Sequence, residues 1–454
     1  MWKTLVVTTA LTLTLTPAAQ AGTGLSWRAC GDRGAECADV SVPLDWSKPG
    51  GDRVTVAISR IKATDPARRL GVLFFNPGGP GGPAVPIVRD LAEEVFPARL
   101  RERFDIIGID PRGVGDSRPA ITCDRDAQDP AVDQFPTTQA GYQALVAHNR
   151  AVADGCRRLT GPLIDHVDTI SAARDLDVVR AGLGERKISW LGVSYGTLLG
   201  ATYAGLFPNR VRAAVLDGAV DHTIGSRRLA VDEARTVEQV FAKFAKWCRE
   251  NCGRDDVAAD YRALLARAAE HPVPATGHPE GVNAQRIGYV TYSLLSSPKA
   301  WPVLAEAIAA ATAPTPDAQA FAETGDASAY RVIACHDFPS DVRDHAGLRD
   351  RVQEIRRIAP TTRGHVEGWD VQAGCTGWPI RSANPWAATP VRGVRNVLVV
   401  SGAFDPATPH VWGIGLACQI EGARMLHWSG VGHTAYFNDD QTRDREVEYL
   451  LDAV

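Results

Sequence analysis

The chain has 454 residues, 45% hydrophobic and 22% charged, the make-up of a globular protein with one large core or two cores sharing a chain. A net charge of −4 provides no sequence-wide basic field and argues against binding nucleic acid or an anionic membrane. Its nine cysteines form no Cys-x-x-Cys pair and none sits with histidine at zinc-finger spacing, so no structural metal is implied.

Lys3 precedes an apolar stretch over 5–15 broken only by threonines, then Pro17 and the small-x-small pattern Ala19-Gln20-Ala21. This pattern predicts a signal peptide over 1–21, cleaved after Ala21, and a secreted protein with no membrane attachment after cleavage; the run is short for a bilayer span. In an oxidising compartment the cysteines are expected to pair. Nearest sequence neighbours give Cys30–Cys37, Cys123–Cys156, Cys248–Cys252 and Cys335–Cys375, with Cys418 left over; other connectivities stay open.

Apolar runs over 54–61, 70–75 and 104–109 read as strands, the last two ending at Asn76-Pro77-Gly78-Gly79 and Asp110-Pro111-Arg112-Gly113. A helix over 172–183 follows, with Ala172, Leu176, Val179 and Leu183 on one face, and Gly184 stops it. A strand over 188–193 leads into Ser194, a helix over 197–206 follows, and 211–216 is another strand. Strands alternating with helices predict an α/β fold with a mostly parallel sheet. From about 221 to 390 the strand signals fade, and helical segments such as 231–250 and 256–270 dominate. Pro272, Pro274, Pro314 and Pro316 there read as loops. Strands return at 397–400 and 425–428. The expected organisation is a core over 22–220, a helical cap inserted over 221–390, and the rest of the core over 391–454.

Gly192-Val193-Ser194-Tyr195-Gly196 is a G-x-S-x-G on a predicted strand-to-helix turn, which pushes a serine hydroxyl out of the sheet. An isolated match would be an ordinary turn serine; the flanking strand and helix make Ser194 a candidate nucleophile. A serine needs a base, and in this arrangement acid and base follow it in that order. Asp405, in Gly402-Ala403-Phe404-Asp405-Pro406, and His433, in Gly430-Val431-Gly432-His433-Thr434, both lie just past predicted strands. His433 would accept the serine proton and Asp405 would orient it. Asp217 also ends a strand and is a rival acid, though a turn-stabilising role suits it better. His427 lies inside a strand, His410 does not directly follow one, and His336 belongs to the insertion, so each is the weaker base. The oxyanion needs backbone N–H donors: Tyr195 offers one, and Gly78 or Gly79 on the glycine-rich loop the other. That loop lacks the Gly-Lys-Ser/Thr ending of a phosphate loop. The segment 110–117 reads as a scaffold turn braced by Asp–Arg pairs.

These motifs, together with Asp405-Pro406-Ala407-Thr408-Pro409, Gly432-His433-Thr434 and Cys375-Thr376-Gly377-Trp378-Pro379, resemble the secreted actinobacterial tripeptidyl aminopeptidases. These are prolyl-aminopeptidase-like serine peptidases of the α/β-hydrolase fold. The resemblance covers most of the mature chain. It implies release of short peptides, tripeptides among them, from free N-termini, with Ser194, Asp405 and His433 as the triad; no cofactor is implied, since the sequence holds no His-Glu-x-x-His and no dinucleotide fingerprint. Family members often carry a cysteine-containing extension after the histidine and a small residue at position 418, and this chain departs from both. An exopeptidase needs a carboxylate to hold the substrate ammonium, and Asp221, Glu233 and Asp337 are candidates by position. A secreted carboxylesterase with the same triad is the alternative. A binding protein on a degenerate scaffold is disfavoured because all three triad residues are present. Dehalogenase or epoxide-hydrolase chemistry would need aspartate at 194.

Overall fold

A computed structural model of the chain describes residues 25–322, 325 and 327–453; the expected signal peptide lies outside the described residues. The strands are β1 (Arg28–Cys30), β2 (Ala35–Pro43), β3 (Arg53–Ile61), β4 (Gly71–Asn76), β5 (Phe104–Ile109), β6 (Ile188–Val193), β7 (Val211–Asp217), β8 (Val273–Ala275), β9 (His278–Val282), β10 (Val397–Phe404) and β11 (Arg424–Val431). Among the described residues, nine of them form one sheet in the order β1-β2-β3-β5-β4-β6-β7-β10-β11. The six from β5 to β11 in that order run parallel, and β1, β2 and β3 add an antiparallel edge.

The pattern of burial explains this order. β5 and β6 are buried along their whole length, as continuous apolar runs covered on both faces must be. β2 instead alternates, with Val40 and Val42 buried and Asp39 and Ser41 apart from them. Helices used below are α1 (Thr169–Gly182), α2 (Tyr195–Leu206), α3 (Gly225–Asn251), α4 (Ala284–Leu295), α5 (Ser328–Asp337), α6 (Glu367–Gly374) and α7 (Asp440–Asp452). α1 starts on Asp168, whose carboxylate accepts the Ser171 N–H at 3.0 Å.

Between β7 and β10 the chain is mainly helical, and its side chains build an apolar core of their own around Phe241, Phe244, Tyr261, Leu304 and Trp369. The segment around Pro272 and Pro274 differs from the expected loop: β8 and β9 pair there as an antiparallel hairpin. The four disulfides are Cys30–Cys37, Cys123–Cys156, Cys248–Cys252 and Cys335–Cys375, and Cys418 is free and exposed. No helix among the described residues is long and apolar enough to cross a membrane.

Candidate active site

The carboxyl ends of the parallel strands carry the chemistry, where an open α/β sheet gathers its functional groups. Ser194 follows β6 and precedes α2. Its φ of +57 lies in the left-handed region that side chains avoid, so the elbow is strained. The flanking glycines make that turn possible by close approach. A methyl on Gly192 would lie 2.3 Å from the Gly196 carbonyl, and one on Gly196 would lie 2.7 Å from the Asn76 carbonyl. The Tyr195 N–H is in the first turn of α2, where backbone N–H groups have no helical partner and the helix dipole favours negative charge.

The glycine-rich loop after β4 lies against the elbow. Gly78 has φ +93, and a methyl there would lie 2.8 Å from Ser194 Cβ and 3.1 Å from Tyr195 N. Its own N–H is donated to Asn76 Oδ1 at 3.1 Å. Gly79, not Gly78, lines the pocket beside Ser194 and Tyr195.

Asp405 stands one residue past β10, where a register shift between Gly402 and Phe404 bends the strand end. Its carboxylate is fully buried and saturated with donors: Ala407 N–H at 3.0 Å, Thr408 N–H at 2.9 Å, the Thr408 hydroxyl at 2.9 Å and Thr434 N–H at 3.1 Å. His433 Nδ1 lies 2.9 Å from Asp405 Oδ1. That contact fixes the tautomer with the proton on Nδ1 and turns Nε2 outward. Burial alone would lower His433, but the Asp405 charge and hydrogen bond outweigh it and raise its pKa, and Glu367 adds to the rise. Burial would likewise raise Asp405, and His433 and the backbone donors outweigh it. His433 is further anchored from the insertion, donating its backbone N–H to the Ser296 carbonyl at 2.7 Å. Ser194 Oγ and His433 Nε2 are not hydrogen-bonded to each other here; such contacts tighten when substrate binds.

A cavity opens beside Ser194, with an apolar wall formed by Val220, Leu229, Phe338, Val371 and Trp412. Two carboxylates interrupt that wall. Glu233, from α3, is buried and accepts the Gly368 N–H at 2.6 Å. Glu367, at the start of α6, accepts the Tyr292 hydroxyl at 3.1 Å. No lysine or arginine lines the pocket. Burial first, and the Glu367 charge second, push Glu233 well above the usual carboxylate range. Burial also raises Glu367, against the pull of Tyr330, His433 and Tyr292.

Of the three positional candidates for an amine anchor, Glu233 alone lines this pocket. Asp221 is occupied by Thr223 and by Gln419 Nε2 at 2.9 Å. Asp337, at the end of α5, accepts the Thr169 hydroxyl at 2.7 Å, Asn384 Nδ2 at 2.8 Å and the Tyr195 hydroxyl at 3.3 Å. The sequence reading gives no role to Glu367 or Thr408. The spacing Asp405-x-x-Thr408 is a signal for the second, because a hydroxyl three residues on can cap a carboxylate at a turn. No local pattern marks Glu367. The Asp110 turn also differs in detail: Asp110 accepts the N–H groups of Val85 and Asp116 at 2.8 Å each, while Arg112 pairs with Asp175 on α1 at 2.6 Å. The rival histidines are engaged elsewhere, His336 Nε2 with the Ile164 carbonyl at 2.8 Å, and His410 with Ser401 at 2.9 Å and edge-to-face against His427.

Residues 71–440 match the family model for the alpha/beta hydrolase fold. The serine protease Hip1 of Mycobacterium tuberculosis is 32% identical over 92% of this chain and 85% of its own length. The carboxylesterase B of the same organism is 33% identical, over 94% and 88%. The tripeptidyl aminopeptidase of Streptomyces lividans is 31% identical, over 89% and 79%.

Proposed function

The chain belongs to the alpha/beta-hydrolase family and is a serine hydrolase, and on that premise we propose that it is a secreted exopeptidase that releases short peptides, tripeptides among them, from free N-termini. Ser194 is the nucleophile and His433 its base. His433 Nε2 takes the hydroxyl proton as Oγ attacks the scissile carbonyl. Tyr195 N–H and Gly79 N–H receive the oxyanion, because the Gly78 N–H is already committed to Asn76. His433 then gives the proton to the leaving amine, and water hydrolyses the acyl-enzyme by the same route. Asp405 holds the imidazole and stabilises its charged form.

One observation carries the exopeptidase reading: Glu233 and Glu367 face the nucleophile's pocket with no cationic side chain lining it. Buried carboxylates without a counter-charge are costly and call for a cationic ligand. The ammonium of a peptide N-terminus is such a ligand, and an esterase acting on neutral acyl groups has no use for the pair. The four disulfides and the leader-like sequence over 1–21 support secretion.

The test is nitroaniline release from a tripeptide nitroanilide beside its N-acetylated twin, a single-residue nitroanilide and a nitrophenyl ester, with Ser194→Ala as blank. The free tripeptide is expected to turn over and the acetylated one not. Glu233→Gln and Glu367→Gln should each raise KM for the free peptide by about 10-fold or more, the loss of a charge-assisted contact. Turnover of the ester alone would replace the peptidase reading with an esterase, the activity in the name of the 33%-identical relative.

A further inference from the structure

Asp217 ends β7, the strand between β6, which leads to Ser194, and β10, which leads to Asp405. No step of the reaction above uses it. Its carbonyl oxygen accepts the Ser194 N–H at 2.8 Å, holding the residue whose backbone is strained. Its carboxylate is fully buried, and Oδ2 accepts the Tyr436 N–H at 2.8 Å, three residues beyond His433. Oδ1 has no hydrogen-bond partner among the described residues. The next residue, Gly218, lies so close to the histidine loop that a methyl on it would be 2.9 Å from Thr434 Cγ2 and 3.3 Å from His433 Cε1.

We propose that Asp217 is a positioning residue, whose carbonyl fixes the Ser194 turn while its carboxylate fixes the His433 loop, so that one strand end sets the spacing between nucleophile and base. The proposal rests on Ser194 and His433 being that pair. Asp217 accepts both the Ser194 N–H and the Tyr436 N–H three residues past His433, so one residue ties the nucleophile's turn to the histidine's loop. The rival role weighed from sequence, that of triad acid, does not fit. His433 Nδ1 is already taken by Asp405, and the Asp217 carboxylate holds a backbone N–H on the far side of the loop.

The charged and titratable groups facing Asp217 are Asp405 from the end of β10, His433 from the loop after β11, and Glu446 from α7. Burial pushes Asp217 up to about 7, backbone N–H groups of Tyr436 and Ala435 pull it back, and Asp405 raises it further. When ionised, Asp217 raises His433 in turn. Asparagine at 217 keeps an acceptor for the Tyr436 N–H and removes the charge; alanine removes both.

The experiment measures kcat, KM and the kcat–pH profile with nitrophenyl acetate, a substrate that needs only a serine hydrolase and no amine anchor. Asp217→Ala should lower kcat by about 30-fold or more with KM within about twofold, as expected when reacting groups are displaced by a fraction of an ångström. Asp217→Asn should keep kcat within about threefold of wild type and move the acid limb of its profile to lower pH, because His433 loses a charge that favoured its protonated form. A kcat for Asp217→Ala within twofold of wild type, or an Asn variant as impaired as the Ala variant, overturns the proposal. If Asp217→Ala does not fold, Asp217→Asn decides alone: a near-normal kcat with a shifted limb supports it, and an unmoved limb or a collapsed kcat overturns it. Loss of the triad reading would show separately, as a Ser194→Ala variant that still turns the ester over.

Discussion

In the proposed mechanism His433 must be neutral to take the Ser194 proton, so the charges around it set the lower pH bound of turnover. Burial pulls its pKa down, but the Asp405 charge and hydrogen bond, with Glu367 and Asp217 behind them, carry it above its ordinary 6.5. As pH falls through that raised value the imidazolium accumulates and the base is lost, so the acid limb of kcat should lie above 6.5. The carboxylates of the pocket obey a different sign. Burial and mutual repulsion raise Glu233, and burial raises Glu367, from an ordinary 4.5, so each gains its proton before an exposed glutamate would. A protonated pair no longer attracts an ammonium. KM for a free tripeptide nitroanilide should therefore rise on the acid side at a pH above 4.5, while KM for nitrophenyl acetate stays flat across the same range. Steady-state profiles of both substrates separate the two effects, since one appears in kcat and the other in KM. A free-peptide KM that is flat down to the ordinary glutamate range would remove the pair from amine recognition.

The loop between β4 and the following helix shows how an element imposes its geometry on a reacting group. Gly78 sits at φ +93, and a side chain there would meet the Val193 carbonyl at 2.7 Å and Ser194 Cβ at 2.8 Å, both on rigid backbone at the elbow. Neither neighbour can swing away as a flexible side chain would. Gly78→Ala is therefore expected to displace the oxyanion loop from the nucleophile and lower kcat by about 100-fold, the cost of roughly an ångström of misplacement. A fall in kcat with a folded protein by circular dichroism is the expected result. Full activity would mean that the loop relaxes freely and does not supply an oxyanion donor. Elements of this kind were the legible part of the sequence. The apolar runs over 104–109 and 188–193 coincide with β5 and β6, because strands buried on both faces leave no polar interruption to blur their ends. β2 was not legible: the adjacent buried pairs Cys37-Ala38 and Val42-Pro43 break an already short alternation, and pairing with β3 makes the strand. Pro274 and Gly281 disguised the β8–β9 hairpin as a loop. Ser194, Asp405 and His433 could be singled out because each sits on a glycine-marked strand end. Glu367 could not, since only the packing of α6 against the rest of the insertion brings it to the pocket of Ser194.

At the scale of the molecule, the helical segment between β7 and β10 has an apolar core of its own and also packs Val332 and Ile333 of α5 into the core of the sheet domain. Asp337 on α5 accepts Thr169 of α1 and the hydroxyl of Tyr195, the residue after the nucleophile, so the insertion grips the sheet domain close to the elbow. Within the insertion, α5 and α6 are joined twice. Cys335 is bonded to Cys375, and the Arg331 guanidinium holds both Asp370 oxygens at 2.7 Å. The two links do different work. The disulfide closes 40 residues, and the chain entropy it removes from the unfolded state is worth on the order of 4 kcal/mol. The ion pair is buried on both sides, so breaking it leaves the Asp370 charge without a counter-charge, held only by the Gln134 amide at 2.7 Å, which costs about 3–5 kcal/mol and loosens α6. Because the ion pair and the Gly368 N–H bond to Glu233 still hold α6 once the disulfide is gone, Cys335→Ser/Cys375→Ser should lower the thermal midpoint by several degrees while KM for the tripeptide nitroanilide changes by less than about threefold. Arg331→Met, which leaves Asp370 without its counter-charge, should lower the midpoint and also raise KM, because Glu367 begins the helix that Asp370 anchors. Differential scanning fluorimetry beside steady-state kinetics reads both. A double-serine variant whose KM rises as steeply as that of Arg331→Met would show that the disulfide, and not the ion pair, keeps the acidic pocket facing Ser194.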